Sequence, residues 1–317
     1  MVPEDILGKG KTVMSSTDKS DKIICKRILI TGKNSFIGQA LESWLLQPRF
    51  LHHYEVDTVD TINNEWSEVE FSSYDIVFQV AGIAHVDSTK LDDNKKQLYY
   101  KVNRDLTIDI AKKARDEGVK QFIFMSSSIV FADNYKLNQI RRITKDVVPT
   151  PSSIYGDSKL QADLRIHEMQ SSLFHVVSLR PPMIYGKGCK GNYPLLSKFA
   201  QKIPVFPDIK NERSILYVDN LCECIRFIIE NEESGYFYPQ NREYISTSSL
   251  VKEIAEIHGK RMYLTKIFNP LIYLLFDKLK IVNKVFGSFA YDKEMSDYKD
   301  FEYCIYDFKK SIRETEI

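Results

Sequence analysis

A short apolar run ending on glycine, Lys26-Arg-Ile-Leu-Ile-Thr-Gly32, is followed at once by helical periodicity, with Ile37, Ala40, Leu41, Trp44 and Leu45 on one face. The alternation then repeats. Tyr54 to Asp60 reads as a second strand and Ile76 to Ala81 as a buried one. Tyr99 to Glu117 reads as a helix with Val102, Leu106, Ile110 and Ala114 on one side. Phe122 to Met125 is another buried strand, Ser152 to Met169 a helix, and Val176 to Arg180 a strand stopped by Pro181-Pro182. Continuously apolar strands need cover on both faces, and amphipathic helices between them supply it. The pattern predicts an α/β fold, a doubly wound parallel sheet with helices on both faces.

Past Pro181 the texture changes. Gly186-Lys-Gly-Cys-Lys-Gly191 is a flexible basic loop, and shorter elements follow at Ser214 to Val218, Asn220 to Glu230 and Ser248 to His258. This predicts a smaller C-terminal lobe, so the chain divides into 25–185 for the sheet and 186–317 mainly for the lobe, with some chain returning to the sheet. Residues 1–24 are polar, mixed in charge and without a signal-peptide core, and are expected to be a disordered extension. Residues 267–286 are strongly apolar with helical spacing. A helix packed on the lobe or on a subunit partner is expected there, with an interfacial membrane helix as the alternative.

Composition narrows the class. Forty-four basic residues face 43 acidic ones, so no basic stripe argues for nucleic acid. The five cysteines are scattered without Cys-x-x-Cys spacing, which points to reduced thiols in a cytoplasmic protein and not to a zinc site, and no metal is expected. No run is long and apolar enough to span a bilayer.

Two motifs carry chemistry. Thr31-Gly32-Lys-Asn-Ser35-Phe36-Ile37-Gly38 joins the first strand to the first helix, where backbone N–H groups and a helix N-terminus meet a pyrophosphate. Ser35 replaces the middle glycine and fits there if its φ is negative. Asp60, 22 positions after Gly38, suits two ribose hydroxyls and favours NAD, whereas Lys33 suits a 2′-phosphate and NADP. The cofactor expected is NAD or NADP, leaning to NAD. Ala81 and Gly82 close the third strand and are counted with the cofactor site. The second motif is Tyr155-Gly-Asp-Ser-Lys159, in which a phenol and an ammonium lie one helical turn apart. An ammonium there stabilises a phenolate, making Tyr155 a proton donor and acceptor.

These motifs, in this order and with Ser126-Ser127-Ser128 between them, resemble the extended short-chain dehydrogenase/reductase superfamily across roughly residues 26 to 290. The resemblance implies a Rossmann sheet and a substrate-binding C-terminal lobe. It selects Ser127, three residues before Val130-Phe131-Ala132, as the catalytic hydroxyl. It places Tyr155 as proton donor to the substrate oxygen, Lys159 on the nicotinamide ribose and Asn103 beside the cofactor site. Asn192, Phe206 and Arg213, in segments similar to the family's sugar-nucleotide contacts, are implied to bind substrate together with Ser127. Arg180-Pro-Pro-Met-Ile-Tyr-Gly186, Gly191-Asn-Tyr, Asn211-Glu-Arg-Ser and Tyr238-Pro-Gln240 look like bacterial capsule and O-antigen enzymes. Those reduce the 4-keto group of UDP-2-acetamido-2,6-dideoxy-hexos-4-ulose to UDP-N-acetyl-fucosamine or UDP-N-acetyl-quinovosamine. The resemblance also implies a homodimer through the helices at Tyr99–Glu117 and Ser152–Met169.

Three other readings stand beside this one. A UDP-hexose 4-epimerase would use the same serine, tyrosine and lysine and regenerate its own NAD. A 4,6-dehydratase needs an acid pair after the catalytic hydroxyl, where Ser128 and Ile129 stand. A non-catalytic nucleotide-binding scaffold is possible on the same fold. His85, in Ala-Gly-Ile-Ala-His-Val after the strand that ends in Ala81-Gly82, is a candidate for lining the sugar site or for packing.

Overall fold

The computed structural model describes residues 25–84, 92–131, 140, 142–276 and 278–317, so His85, Ala132 and the extension 1–24 lie outside the described residues. The chain opens with β1 (Lys26–Thr31), α1 (Phe36–Leu45), β2 (Tyr54–Val59) and β3 (Ile76–Gln79). Helix α2 (Asp93–Tyr99) then runs through a π-helical turn at Tyr100–Asp105 into α3 (Leu106–Asp116). The helix therefore starts before Tyr99, at an N-cap where Asp92 accepts a hydrogen bond from the Lys95 N–H. Next come β4 (Gln121–Met125), β5 (Arg142–Ile143), α4 (Ile154–His167), β6 (His175–Leu179) and β7 (Met183–Tyr185). After them stand α5 (Asn192–Lys202), β8 (Val205–Pro207), β9 (Ile215–Tyr217), α6 (Val218–Glu230) and β10 (Gly235–Phe237). The remainder is α7 (Thr247–Ile257), β11 (Tyr263–Thr265), α8 (Asn269–Phe276), α9 (Lys280–Phe286), β12 (Ala290–Tyr291), α10 (Lys293–Ser296) and α11 (Phe308–Glu316).

Six strands form one sheet in the order β10-β6-β4-β3-β1-β2, and every pairing is parallel. Side chains of each strand alternate between two buried faces. Ile28, Ile30, Ile76, Phe78, Ile123 and Val177 join the cluster that holds Leu41 and Trp44 of α1 and Leu221 and Ile225 of α6. Leu29, Val77, Phe122, Phe124 and Val176 join the opposite cluster with Ile110 and Ala114 of α3 and Ala162 and Ile166 of α4. The doubly wound sheet expected from the apolar strands is thus observed.

Residues beyond Tyr185 contribute to both regions. Strand β10 pairs with β6 at the sheet edge, and α6 lies on α1, where Trp44 Nε1 donates to Glu223 Oε2 at 2.9 Å. The others build small parallel pairs, β7 with β9, β8 with β11 and β5 with β12, with α5 and α11 against α7. The apolar stretch 267–286 is two short helices and not one. Leu279 is extended (φ −115°, ψ 108°) and divides them. In one straight helix Phe286 would point roughly 80° away from Phe276. The break lets both reach the core, where Phe286 also meets Phe206 with ring centroids 5.8 Å apart.

Candidate active site

Strand β1 lies between β2 and β3, so the chain leaves it on one side and returns on the other. The crevice at the carboxyl ends of β1 and β3 is this sheet's switch point, where α/β folds bind ligands. Gly32 lies there with φ +105°, donating its N–H to the Val59 carbonyl at 2.9 Å. A Cβ on Gly32 would come within 2.9 Å of the Ala81 nitrogen, so only glycine keeps the β1 and β3 ends this close. Ser35 has φ −71°, the sign its position requires, and caps α1 by accepting from the Gly38 N–H at 3.1 Å. Gly38 packs tightly, since a Cβ there would lie 2.6 Å from Ser35 Oγ and 3.3 Å from Ile30 Cγ2. Phe36 and Ile37 occupy the first turn of α1, and Asp60 follows β2 with its carboxylate accepting from the Ile62 N–H at 2.9 Å. A glycine cradle beneath a helix N-terminus, with an acid at the end of the next strand, fits a dinucleotide.

The candidate catalytic side chains stand across the same crevice. Gly82 bridges the two groups, because a Cβ built on it would sit 3.1 Å from both Asn103 Oδ1 and Lys159 Nζ. Asn103 is fully buried on the π turn. Its Oδ1 accepts from the Ile83 N–H at 2.8 Å, and its Nδ2 donates to the Ile83 carbonyl at 3.0 Å and to Ser158 Oγ at 3.2 Å. Lys159, also buried, donates to the Met125 carbonyl at 2.8 Å and lies 4.5 Å over the Phe124 ring. Ser127 Oγ accepts from the Ile129 N–H at 3.3 Å and lies near enough to Tyr155 to pull its phenol pKa down. Helix α4 carries Tyr155 to this point by capping on Ser153, which accepts from the Gly156 N–H at 3.1 Å.

The electrostatics correct one expectation. Burial pushes the Tyr155 phenol up to about 12, against the nearby Ser127 hydroxyl, which pulls it down. Burial also drives the Lys159 ammonium down to about 8, with the nearby Asp163 carboxylate opposing. Lys159 is thus turned to the Met125 carbonyl, and the phenol is not lowered by it in this arrangement. Asp163 was not singled out from the sequence. It is fully buried one turn after Lys159, and its Oδ2 accepts from Ser126 Oγ at 2.7 Å and Arg180 Nε at 3.0 Å. The i, i+4 spacing from Lys159 was the available signal.

The residues implied for substrate lie further out on the chain's second part. Asn192 begins α5 just after Gly191, whose φ is +96°. Phe206 is buried in β8 against Phe286. Arg213 bridges to Ile245 and Phe289, and its Nη1 donates to the Lys284 carbonyl at 2.8 Å, at the end of α9. The loop after β7 returns to the nucleotide turn, since a Cβ on Gly186 would lie 3.4 Å from Phe36 Cζ. The structure therefore gathers Gly32, Ser35, Gly38, Ala81, Gly82, Asn103, Ser127, Tyr155 and Lys159 around one crevice, while Phe206 and Arg213 are tied to α9.

Comparison with known proteins gives this arrangement a lineage. The UDP-glucose 4-epimerase of Vibrio cholerae is 27% identical over 297 residues, covering 86% of this chain and 89% of that protein. The N-acetyl-alpha-D-glucosaminyl-diphospho-ditrans,octacis-undecaprenol 4-epimerase of Escherichia coli O157:H7 is 27% identical over 277 residues, covering 82% of this chain and 81% of that protein. Among solved structures, UDP-glucuronic acid 4-epimerase from Bacillus cereus in complex with NAD shares the fold. Its TM-score is 0.67 at 17% identity, covering 92% of this chain and 95% of that one. The model of the NAD dependent epimerase/dehydratase family matches residues 28–238, from the first buried strand past the Tyr155 helix to the edge of the sheet, and the chain belongs to that family.

Proposed function

We propose that this NAD(P)-dependent enzyme reduces the 4-keto group of a UDP-linked sugar, with UDP-2-acetamido-2,6-dideoxy-hexos-4-ulose as substrate and UDP-N-acetyl-fucosamine or UDP-N-acetyl-quinovosamine as product. The observation that carries the reading is the placement of Lys159 and Asn103 against Gly82, at the crevice of the Gly32 cradle, with Ser127 close to Tyr155. The nicotinamide, when bound, supplies the hydride. Tyr155 gives its proton to the oxygen that gains charge, and Ser127 donates to the same oxygen. Lys159, buried beside Gly82, would hold a ribose hydroxyl of the bound cofactor, and it stabilises the phenolate left behind once it turns from the Met125 carbonyl. Asn103 fixes the Ile83 backbone above Gly82, which keeps the crevice floor in place. Asn192, Phe206 and Arg213 are the residues proposed to hold the nucleotide, a guanidinium suiting a diphosphate because its fork makes paired bonds to phosphate oxygens.

A second reading, 4-epimerisation, is favoured by the two relatives above. Both are named for inversion at C4, one on a UDP-sugar and one on a diphosphate-linked lipid. The residue roles are shared, and the net reactions differ in reductant use. Incubation with the 4-keto sugar and NADH or NADPH, with products read by NMR, distinguishes them. A reductase consumes one reduced cofactor per product, and an epimerase converts a UDP-hexose with none. Tyr155→Phe is expected to lower turnover at least ~100-fold in either case. Turnover within a few-fold of the parent would remove Tyr155 from the mechanism.

A further inference from the structure

Apart from its buried first residue, Asn269, helix α8 carries no polar amide or charged side chain on any side. Ile272 and Phe276 turn inward and are buried, while Leu271, Tyr273 and Leu274 face outward. A surface helix ordinarily shows polar or charged side chains on its outer face. Here Ile267 is 82% exposed, Leu274 62% and Leu271 55%, with Phe268 and Leu279 also exposed in the same short segment. Clustered exposure of this kind marks a contact surface.

Charge selects the occupant. Residues 260–286 carry Lys260, Arg261, Lys266, Lys278, Lys280 and Lys284 against one acid, Asp277, in a chain whose net charge as a whole is only +1. Lys266, Lys278 and Lys284 are exposed. A second copy of the chain docking across a twofold axis would set these cations against their own counterparts. A bilayer surface with anionic lipid offers both an apolar layer and negative charge. No helix among the described residues is long and apolar enough to cross a membrane, so a contact here lies on the surface.

We propose that the outer face of α8 and its flanking lysines dock the protein on a membrane surface containing anionic phospholipid, with Ile267, Leu271 and Leu274 entering the headgroup–acyl boundary. The same segment is joined to the outer part of the candidate site. Strand β11 leads into α8 and pairs with β8, whose Phe206 packs on Phe286, and Arg213 holds the end of α9. Docking through α8 brings that lobe to the bilayer whichever net reaction the crevice performs.

The test is co-sedimentation of the full chain with vesicles of phosphatidylcholine alone or mixed with phosphatidylglycerol, at low and high salt. Two variants are compared, Leu271→Asp/Leu274→Asp and Lys266→Glu/Lys278→Glu. The expected result is binding to the anionic vesicles that high salt weakens, cut at least about tenfold by each double substitution, with melting temperature and NAD(P)H binding unchanged. Equal binding to neutral and anionic vesicles, no binding, or full binding by both variants overturns the proposal. A fall in light-scattering mass from two chains to one in Leu271→Asp/Leu274→Asp also overturns it and assigns the face to a second copy.

Discussion

His167 closes α4 with its ring stacked on Tyr236 at 4.0 Å and its Nε2 sharing a 3.1 Å hydrogen bond with Ser178 Oγ. Burial lowers its pKa from 6.5 to about 4, with Asp163 opposing and Arg180 adding to the fall. Between those values the unfolded chain holds a proton on this ring that the folded chain does not, so stability falls as pH drops from 6.5 toward 4. With allowance for partial exposure, the loss is about 2 kcal/mol. His167→Gln is expected to flatten that part of the curve, measured as the difference from the parent in urea midpoint at pH 7 and pH 4.5. A parallel decline in both proteins would show that His167 stays as accessible to protons as in the unfolded chain. At this scale spacing singled out Tyr155 and Lys159 and the family resemblance selected Ser127, but their ionisation was not legible in the sequence. The lowered Lys159 and raised Tyr155 come from burial, which side chains distant in sequence create.

At the scale of elements, the approach of α4 to the turn after β4 sets where Tyr155 stands. Gly156 makes that approach possible, because a Cβ there would come within 2.5 Å of the Ile129 carbonyl and 2.9 Å of Pro151 Cβ. Gly156→Ala forces the helix away from backbone that cannot yield cheaply, at a cost of roughly 1–3 kcal/mol. It is expected to lower both the melting temperature and turnover, while a melting temperature at or above the parent's would contradict the tight contact. Strands and helices were readable where apolar spacing was regular, as in β1, α1 and β4. The helix over residues 93–116 was read only in part. Its buried side chains include Tyr99, Asn103, Thr107 and Ala111, a strict spacing of four. Three α-helical turns take roughly 11 residues, and this stripe takes 12, the extra residue being absorbed in the π turn. The stripe of Val102, Leu106, Ile110 and Ala114 expected from the sequence therefore fades at its start, where Val102 and Leu106 are only half-buried. Polar Asn103 and Thr107 take the inward face, and an apolar pattern does not reveal such a shift. The break at Leu279 was equally hidden, since both helices around it are apolar.

For the whole molecule, the sheet was legible because strands buried on both faces are apolar without interruption. The pairings of β5 with β12 and β8 with β11 join short segments far apart in sequence, which no local pattern marks. The two long helices are linked at their outer edges, with Tyr100 donating to Asp157 Oδ2 at 2.6 Å and Arg104 Nη1 to Gln161 Oε1 at 2.9 Å. We propose that this braced surface is the homodimer face. Light scattering at micromolar concentration is expected to give the mass of two chains, and the mass of one would refute it. The return of the late chain to the sheet bears on how the molecule can be divided. Strand β10 seals the edge of β6, and α6 covers α1, yet both come from beyond Tyr185. A polypeptide stopped at Tyr185 would present β6 as an open edge and leave Leu41 and Trp44 without their α6 cover. Such a fragment is expected to pair with its own copies through that edge, so a minimal folding unit is expected to need the chain beyond Tyr185.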